Sequence, residues 1–264
     1  MNLLEETVRD FYENCVENEQ SEYAVPRILH SLVIAQRPKV AVEIGSNMGY
    51  CSMAIASALR FLEGYDPSEY LKKWKAEYHA EKRYEKVKGK LYCIDPVLQP
   101  DFERRLKKFG FEDLIEFIAK RSDDVDPRSL PPIDFLFIDG DHSYKGARND
   151  FANFFPRVTP GGYVAIHDYF PDSPSKEMLW WGPNILAKQL RRDFDFGDSF
   201  VVDTAFSSLA LFRKRKDYLD SDLLDSNLAK SFLQFYLRKY RIKCRKILSK
   251  LKNGSLPRKN VRSG

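Results

Sequence analysis

The stretch Lys39–Ser52, KVAVEIGSNMGYCS, constrains this chain more than any other. Val40, Val42 and Ile44 form an apolar, β-branched run that stops at Gly45, and Gly49 follows before the small apolar run Met53–Ala56. That order is a buried strand, a glycine turn and a helix N-terminus. Lacking a Cβ, Gly45 and Gly49 let backbone come close to a ligand, and the helix start offers backbone N–H groups without helical partners. Glu43 puts a carboxylate at the strand end, which suits a ligand carrying positive charge or hydroxyls better than a bare phosphate. The spacing E-x-G-x-x-x-G is neither the G-x-G-x-x-G of dinucleotide binders nor the G-x-x-x-x-G-K-[ST] of nucleoside triphosphatases. The plain alternative is a strand, turn and helix whose glycines serve packing alone.

The chain has 264 residues, 43% hydrophobic and 14% aromatic, enough for one sizeable α/β domain with additions. A net charge of +5 carries no global nucleic-acid signal. No run of about 18 apolar residues occurs, so no membrane span is expected. The opening MNLLEETVRDFYENC is acidic and amphipathic, unlike a secretory signal. Cys15, Cys51, Cys93 and Cys244 are scattered without a C-x-x-C pair. They fit reduced thiols in a cytoplasmic protein rather than a disulfide framework or a zinc site.

Read in order, residues 1–37 form N-terminal helices covering the core: one over 3–18, and a second from Pro26 over Arg27–Ala35 with Ile28, Leu29, Leu32 and Val33 toward the sheet. The helix after Gly49 runs from about Tyr50 to Leu62. Residues 63–90 interrupt the strand–helix rhythm with a highly charged segment. Tyr70, Trp74 and Tyr78 are four apart there and share a helical face. They mark an inserted helix packed on the domain, or a lid or oligomer contact. Strands are expected at Leu91–Asp95, Leu114–Ala119, Ile133–Asp139 and Tyr163–His167, with helices at Asp101–Phe109, Lys145–Phe155 and Gly182–Phe194. Ser199–Ala205 and Ser208–Phe212 then read as an antiparallel hairpin. Alternating strands and helices imply right-handed crossovers and a mainly parallel, doubly wound α/β sheet. No acidic residue follows Asp225, so residues 216–264 read as a basic C-terminal helix and tail. Such a tail either docks on the domain or meets an anionic membrane surface, an anionic partner or a phosphate backbone.

The Lys39–Ser52 motif resembles motif I of the class I S-adenosylmethionine-dependent methyltransferases, and the resemblance extends over about Pro38–Arg215. It implies a Rossmann-like, seven-stranded sheet with an antiparallel C-terminal hairpin in a methyltransferase domain at 38–215. It also implies S-adenosylmethionine as cofactor. Glu43, Gly45, Ser46, Gly49, Tyr50 and Ser52 would line the cofactor. Asp95 would take the ribose hydroxyls, Ser122 and Asp123 would border the adenine, and Asp139 would lie at the same end. Ser122-Asp123-Asp124 also fits a solvated turn.

In open α/β sheets ligands bind beyond the carboxyl ends of the strands. Here every expected parallel strand ends in or just before an acid or histidine: Glu43, Asp95, Asp123, Asp139 with Asp141 and His142, and His167 with Asp168. The segments FIDGDHSY and PGGYVAIHDY resemble a branch of O-methyltransferases that includes the macrocin- and mycinamicin-type sugar methyltransferases. By that resemblance Asp139 and Asp168 become ligands of a divalent metal, magnesium, manganese or another, and His142 the general base. His167 stands where the branch has a Glu. Magnesium prefers oxygen whereas imidazole suits zinc, copper, iron or nickel, so the metal differs, or His167 is no ligand, or none binds. Asp141 could supply an oxygen in its place. The two histidines could instead simply cap strand ends. Trp180 and Trp181 lie in the loop after the fifth strand and fit either an acceptor stack or a hydrophobic latch. The expected activity is O-methylation of a small molecule or glycan, a sugar hydroxyl first and a catechol or other phenol second. The competing class is a non-catalytic binding module for nucleic acid or an anionic surface, working through the basic tail. Acidic strand ends disfavour nucleic acid, while peripheral membrane contact through that tail and a homo-oligomer stay open.

Overall fold

The computed structural model describes residues 6, 9, 24–65, 86–169, 182–193, 198–203 and 208–215. The chain divides into two units, Met1–Leu219 and Asp220–Gly264, and every described residue belongs to the first. Most of the helix expected over 3–18, residues 66–85 of the charged insertion, the Trp180-Trp181 loop and the basic C-terminal helix lie outside the described residues.

The described elements run α1 (Ala24–Gln36), β1 (Val40–Ile44), α2 (Tyr50–Gly64), β2 (Lys90–Asp95), α3 (Pro100–Phe109), β3 (Ile115–Ala119), β4 (Ile133–Ile138), α4 (Tyr144–Phe154), β5 (Val158–Ile166), α5 (Gly182–Asp193), β6 (Ser199–Asp203) and β7 (Ser208–Arg213). They build one seven-stranded sheet in the order β3-β2-β1-β4-β5-β7-β6. β1 to β5 pair in parallel, and β7 is antiparallel to both β5 and β6. This is the doubly wound α/β architecture with an antiparallel C-terminal hairpin. β1 and β4 adjoin at the centre, where the strand order reverses, so their carboxyl ends border the crevice in which such sheets bind ligands.

The central strands are apolar on both faces because helices cover both. VAVEI and IDFLFI are buried almost throughout, the pattern of parallel strands shielded from water. α2 fits closely because Ala54, Ala56, Ser57 and Ala58 are small and buried. α1 packs on α2 through Val25, Leu29 and Val33, spaced one helical turn apart. α3 carries Asp101 and Glu103 in its first turn and Lys107 and Lys108 in its last, and it stops at Gly110 in the left-handed region (φ 65°).

Most element ends fall within a few residues of the expectation, and the start of β5 differs the most. β5 begins at Val158, so Pro160-Gly161-Gly162 lies inside the strand instead of preceding it. Ile133 pairs with Val158, yet Phe135 already pairs with Tyr163. The glycines absorb this slip: Gly161 has φ 90°, and a Cβ on Gly162 would lie 2.9 Å from the carbonyl oxygens of Asp134 and Thr159. At the other end of the hairpin the buried Lys214 donates to the carbonyls of Val158 (2.6 Å), Pro156 (3.2 Å) and Phe155 (3.4 Å), tying β7 to the start of β5.

The amino ends of the central strands are tied by Asp134. Its Oδ2 accepts from the N–H groups of Lys39 (2.9 Å) and Val40 (3.1 Å), and its Oδ1 from the Thr159 hydroxyl (3.0 Å). Asp134→Ala leaves these donors without that acceptor and is expected to lower unfolding free energy by about 1–3 kcal/mol. Urea unfolding tests this, and an unchanged midpoint would show that the clip contributes nothing.

Candidate functional site

The loop between β1 and α2 is held in place by its neighbours. Gly45 (φ 84°) donates its N–H to the Ile94 carbonyl at 2.9 Å. A Cβ there would lie 2.6 Å from the Asp139 carbonyl carbon and from Gly140 Cα, and closer still to the Asp139 oxygen. Gly49 (φ 86°) faces the Phe102 ring, which a Cβ would meet at 2.6 Å. The close approach expected of a ligand at these glycines is therefore taken by protein: the end of β4 at Gly45 and α3 at Gly49.

Asp95, at the end of β2, accepts at Oδ2 from the N–H groups of Ser46 (3.1 Å) and Asn47 (3.0 Å) and at Oδ1 from Val97 N–H (3.0 Å). A carboxylate has about four acceptor positions, and Asp95 is only half-buried, so it keeps capacity for a ligand hydroxyl. Arg105 was not singled out in the sequence. It is 1% exposed, donates to the Met48 carbonyl (3.0 Å) and the Tyr50 hydroxyl (2.5 Å), and stacks over the Tyr50 ring at 4.1 Å. Its place in a polar helix gave no signal, because it marks itself only by reaching back to a loop 57 residues earlier in the chain.

Glu43 lies deeper than expected. It is fully buried, accepts from the equally buried Ser52 hydroxyl, and has the Cys93 thiol at 3.3 Å. Burial pushes its carboxyl up to about 8, against the lowering hydrogen bonds from Ser52 and Cys93. Burial thus favours its protonated form beneath the loop, and neither Glu43 nor Ser52 reaches the surface.

Ser122 stands in a short 3-10 turn after β3 and donates to Asp150 Oδ1 on α4 at 2.5 Å. Asp123 is exposed. Asp150, also missed in the sequence, is buried at the back of this turn, where desolvation raises its carboxyl to about 6. A Cβ on Gly140 would lie 3.2 Å from its Oδ2.

The ends of β4 and β5 bring the expected acids and histidines together. Asp139 Oδ1 lies 3.1 Å from His142 Nε2 and 2.9 Å from His167 Nδ1. Asp168 approaches both rings, with Oδ2 3.4 Å from His142 Nδ1 and Oδ1 3.5 Å from His167 Nδ1. Burial alone would raise Asp139, yet the His167 and His142 imidazoles outweigh it and hold its carboxyl down at about 2. Burial likewise opposes protonation of His142, but Asp139 and Asp168 reverse that and raise it above the ordinary histidine value. Asp168 has φ 57°, a conformation side chains rarely adopt outside special sites.

The backbone around these groups is tightly tied. Asp139 N–H donates to Ile44 (2.8 Å) and His167 N–H to Ile138 (3.0 Å). Gly182, first in α5, donates to the His142 carbonyl at 3.1 Å, where a Cβ would overlap the Ser143-Tyr144 backbone. Asp141 is instead used locally: its Oδ1 accepts Ser143 N–H at 2.8 Å, while Ser143 caps α4 through Gly146 N–H. Ligand atoms of Asp139, His142 and His167 all lie within 4.8 Å of one another, so these residues could hold a metal ion, with Asp168 beside them.

Residues 42–169 match the family described as a methyltransferase domain, Methyltransf_24. The O-methyltransferase TomG of Streptomyces achromogenes, involved in tomaymycin synthesis and solved with SAM, aligns at a TM-score of 0.56 and 17% identity, covering 82% of this chain and 91% of that one. The Bacillus cereus O-methyltransferase solved with SAH aligns at 0.57 and 14% identity, covering 81% and 91%. At these identities the likeness is one of fold. An uncharacterized Sinorhizobium fredii protein is 27% identical over 137 residues, 52% of this chain. An uncharacterized Acanthamoeba polyphaga mimivirus protein is 51% identical over 54 residues, 20% of this chain. The matches span only 14% and 21% of those two relatives' own lengths. Among the described residues no helix is long and apolar enough to cross a membrane.

The buried Glu43 yields a test of the site's electrostatics. The folded chain holds that proton up to about pH 8, whereas the carboxyl's ordinary value is 4.5. Between those values folding takes up a proton, so this group's contribution to stability falls as pH rises, by at most about 1.4 kcal/mol per unit. Glu43→Gln keeps the shape and removes the linkage. The unfolding free energy of variant minus wild type is expected to increase from about pH 5 to about pH 8. A difference that does not vary with pH would show Glu43 ionised in the folded state.

Proposed function

We propose that this chain is an S-adenosylmethionine-dependent O-methyltransferase acting on a hydroxyl of a small molecule or glycan, with a sugar hydroxyl as first choice. The observation that carries this reading is the Asp139–His142–His167–Asp168 cluster beside the β1–α2 loop, inside a stretch that matches a methyltransferase domain. Two O-methyltransferases of the same fold were solved with SAM or SAH.

S-adenosylmethionine supplies an electrophilic sulfonium methyl, so the protein's task is to align an acceptor oxygen with it and take away a proton. The loop Gly45-Ser46, Gly49 and Tyr50 form one wall of the cofactor site. Asp95 takes ribose hydroxyls with the acceptor capacity left to it, and Ser122 and Asp123 border the adenine. Glu43 and Ser52 shape the loop from beneath.

At the reacting end Asp139, His167 and Asp168 fit a divalent ion by the chemistry of their donors. An ion bound there would lower the pKa of an acceptor hydroxyl. His142 takes the acceptor proton as general base, and the Gly182 hydrogen bond to its carbonyl holds its backbone. Asp139 and Asp168 flank its ring and stabilise the imidazolium that results.

His142→Ala and Asp139→Ala are each expected to lower turnover by about 100-fold or more, with S-adenosylhomocysteine affinity changed little. Calorimetry gives the affinity. Transfer of labelled methyl to a panel of sugars and then catechols gives the turnover. Retained turnover in both variants removes the mechanism, and no binding of S-adenosylhomocysteine to the wild type removes the function.

A further inference from the structure

We infer that the ion site at the ends of β4 and β5 is a nitrogen-containing site for a first-row transition ion of the zinc or iron(II) class, and that His167 is the residue that turns it away from magnesium. This deepens the reading above and rests on its assignment of Asp139 as an ion ligand.

The position of His167 Nδ1 carries the inference. It lies 2.9 Å from Asp139 Oδ1 and 3.5 Å from Asp168 Oδ1, and with Asp139 and His142 it forms a set whose ligand atoms all lie within 4.8 Å of one another. An ion held by Asp139 within this set is therefore also reached by this nitrogen. The ring has little freedom to leave. Its residue's N–H is bound to Ile138, and its edge packs against the buried Phe137 ring with centroids 6.2 Å apart. The spacing suits a shared ion: donors about 2.1 Å from zinc are separated by roughly 3.0 Å in octahedral and roughly 3.4 Å in tetrahedral geometry. The second imidazole, His142, places Nε2 3.1 Å from the same Asp139 oxygen.

Magnesium asks for six oxygens in near-ideal octahedral array and gives up its waters reluctantly. A ring nitrogen in the middle of the donor set costs it a ligand, whereas zinc, iron and nickel accept imidazole readily. Ions of that class bind most mixed sites more tightly than magnesium does. A plain preference of the wild type therefore decides little, and the change made by His167 is what matters.

The test uses the full chain, stripped with chelator and dialysed against zinc, iron(II) under anaerobic conditions, cobalt(II) or magnesium, each alone, with bound ion read by elemental analysis. About one equivalent of zinc or iron is expected. The cobalt form is expected to show visible absorption bands shifted by nitrogen ligation. In His167→Ala zinc affinity is expected to fall at least about 10-fold, the size of effect that follows even from losing an outer partner of a ligand. In His167→Glu the zinc-to-magnesium affinity ratio is expected to fall at least about 10-fold, with measurable magnesium binding gained. S-adenosylhomocysteine calorimetry on each variant confirms that it is folded.

Equal zinc affinity in wild type and His167→Ala, or an unchanged ratio in His167→Glu, overturns the inference. So does the absence of any bound ion from a wild type that still binds S-adenosylhomocysteine, a result that leaves methyl transfer standing. Loss of the ion in His142→Ala as well as in His167→Ala supports nitrogen ligation and removes the base role of His142 instead.

Discussion

The contact of Gly45 with the Asp139–Gly140 backbone is the constraint on which the rest of the site depends. The loop leaving β1 must lie flat on the end of β4, and only a residue without a Cβ and at positive φ fits there. Once seated, the loop presents Ser46 and Asn47 N–H groups to Asp95 and its Met48 carbonyl to Arg105. Three strand ends and one helix are thus drawn to a single point. The same seating leaves Asp139 at the crevice beside both histidines.

Within that small volume, carboxyl groups respond to low dielectric in opposite ways. Glu43 and Asp150 meet hydroxyls or a thiol, and burial pushes both upward, to about 8 and about 6. Asp139 meets two imidazoles, and their positive charge reverses the same desolvation. At the ends of β4 and β5 this keeps Asp139 ionised beside its imidazoles, where an ion or an acceptor proton can use its charge. Burial favours the protonated form of Glu43, whereas Asp150, at about 6, still ionises near neutral pH.

Much of the fold was legible because its signals are local. Apolar runs such as IDFLFI and LYCID, the glycines at 45, 49 and 110, and the short spacing of the last two strands mark elements with little help from distant residues. The start of β5 was misjudged because Pro-Gly-Gly ordinarily ends a strand. Here a slip in register against β4 keeps it within one. The meeting of Asp139, His142, His167 and Asp168 could also be anticipated, since parallel strands with right-handed crossovers bring their carboxyl ends together.

By itself, then, the sequence determined the order of strands and helices, the turn glycines and the acids and histidines gathered at the carboxyl edge of the sheet, because each follows from periodicity and chain direction. Only the tertiary structure decided which groups face the crevice. On a strand buried on both sides, alternation no longer says where a side chain points, so Glu43 reads as a strand-end carboxylate and is found fully buried under the loop, where burial favours its protonated form. Arg105 and Asp150 entered the site for a related reason. Their partners, Met48, Tyr50 and Ser122, lie far away in sequence, and only packing brings them within hydrogen-bonding distance.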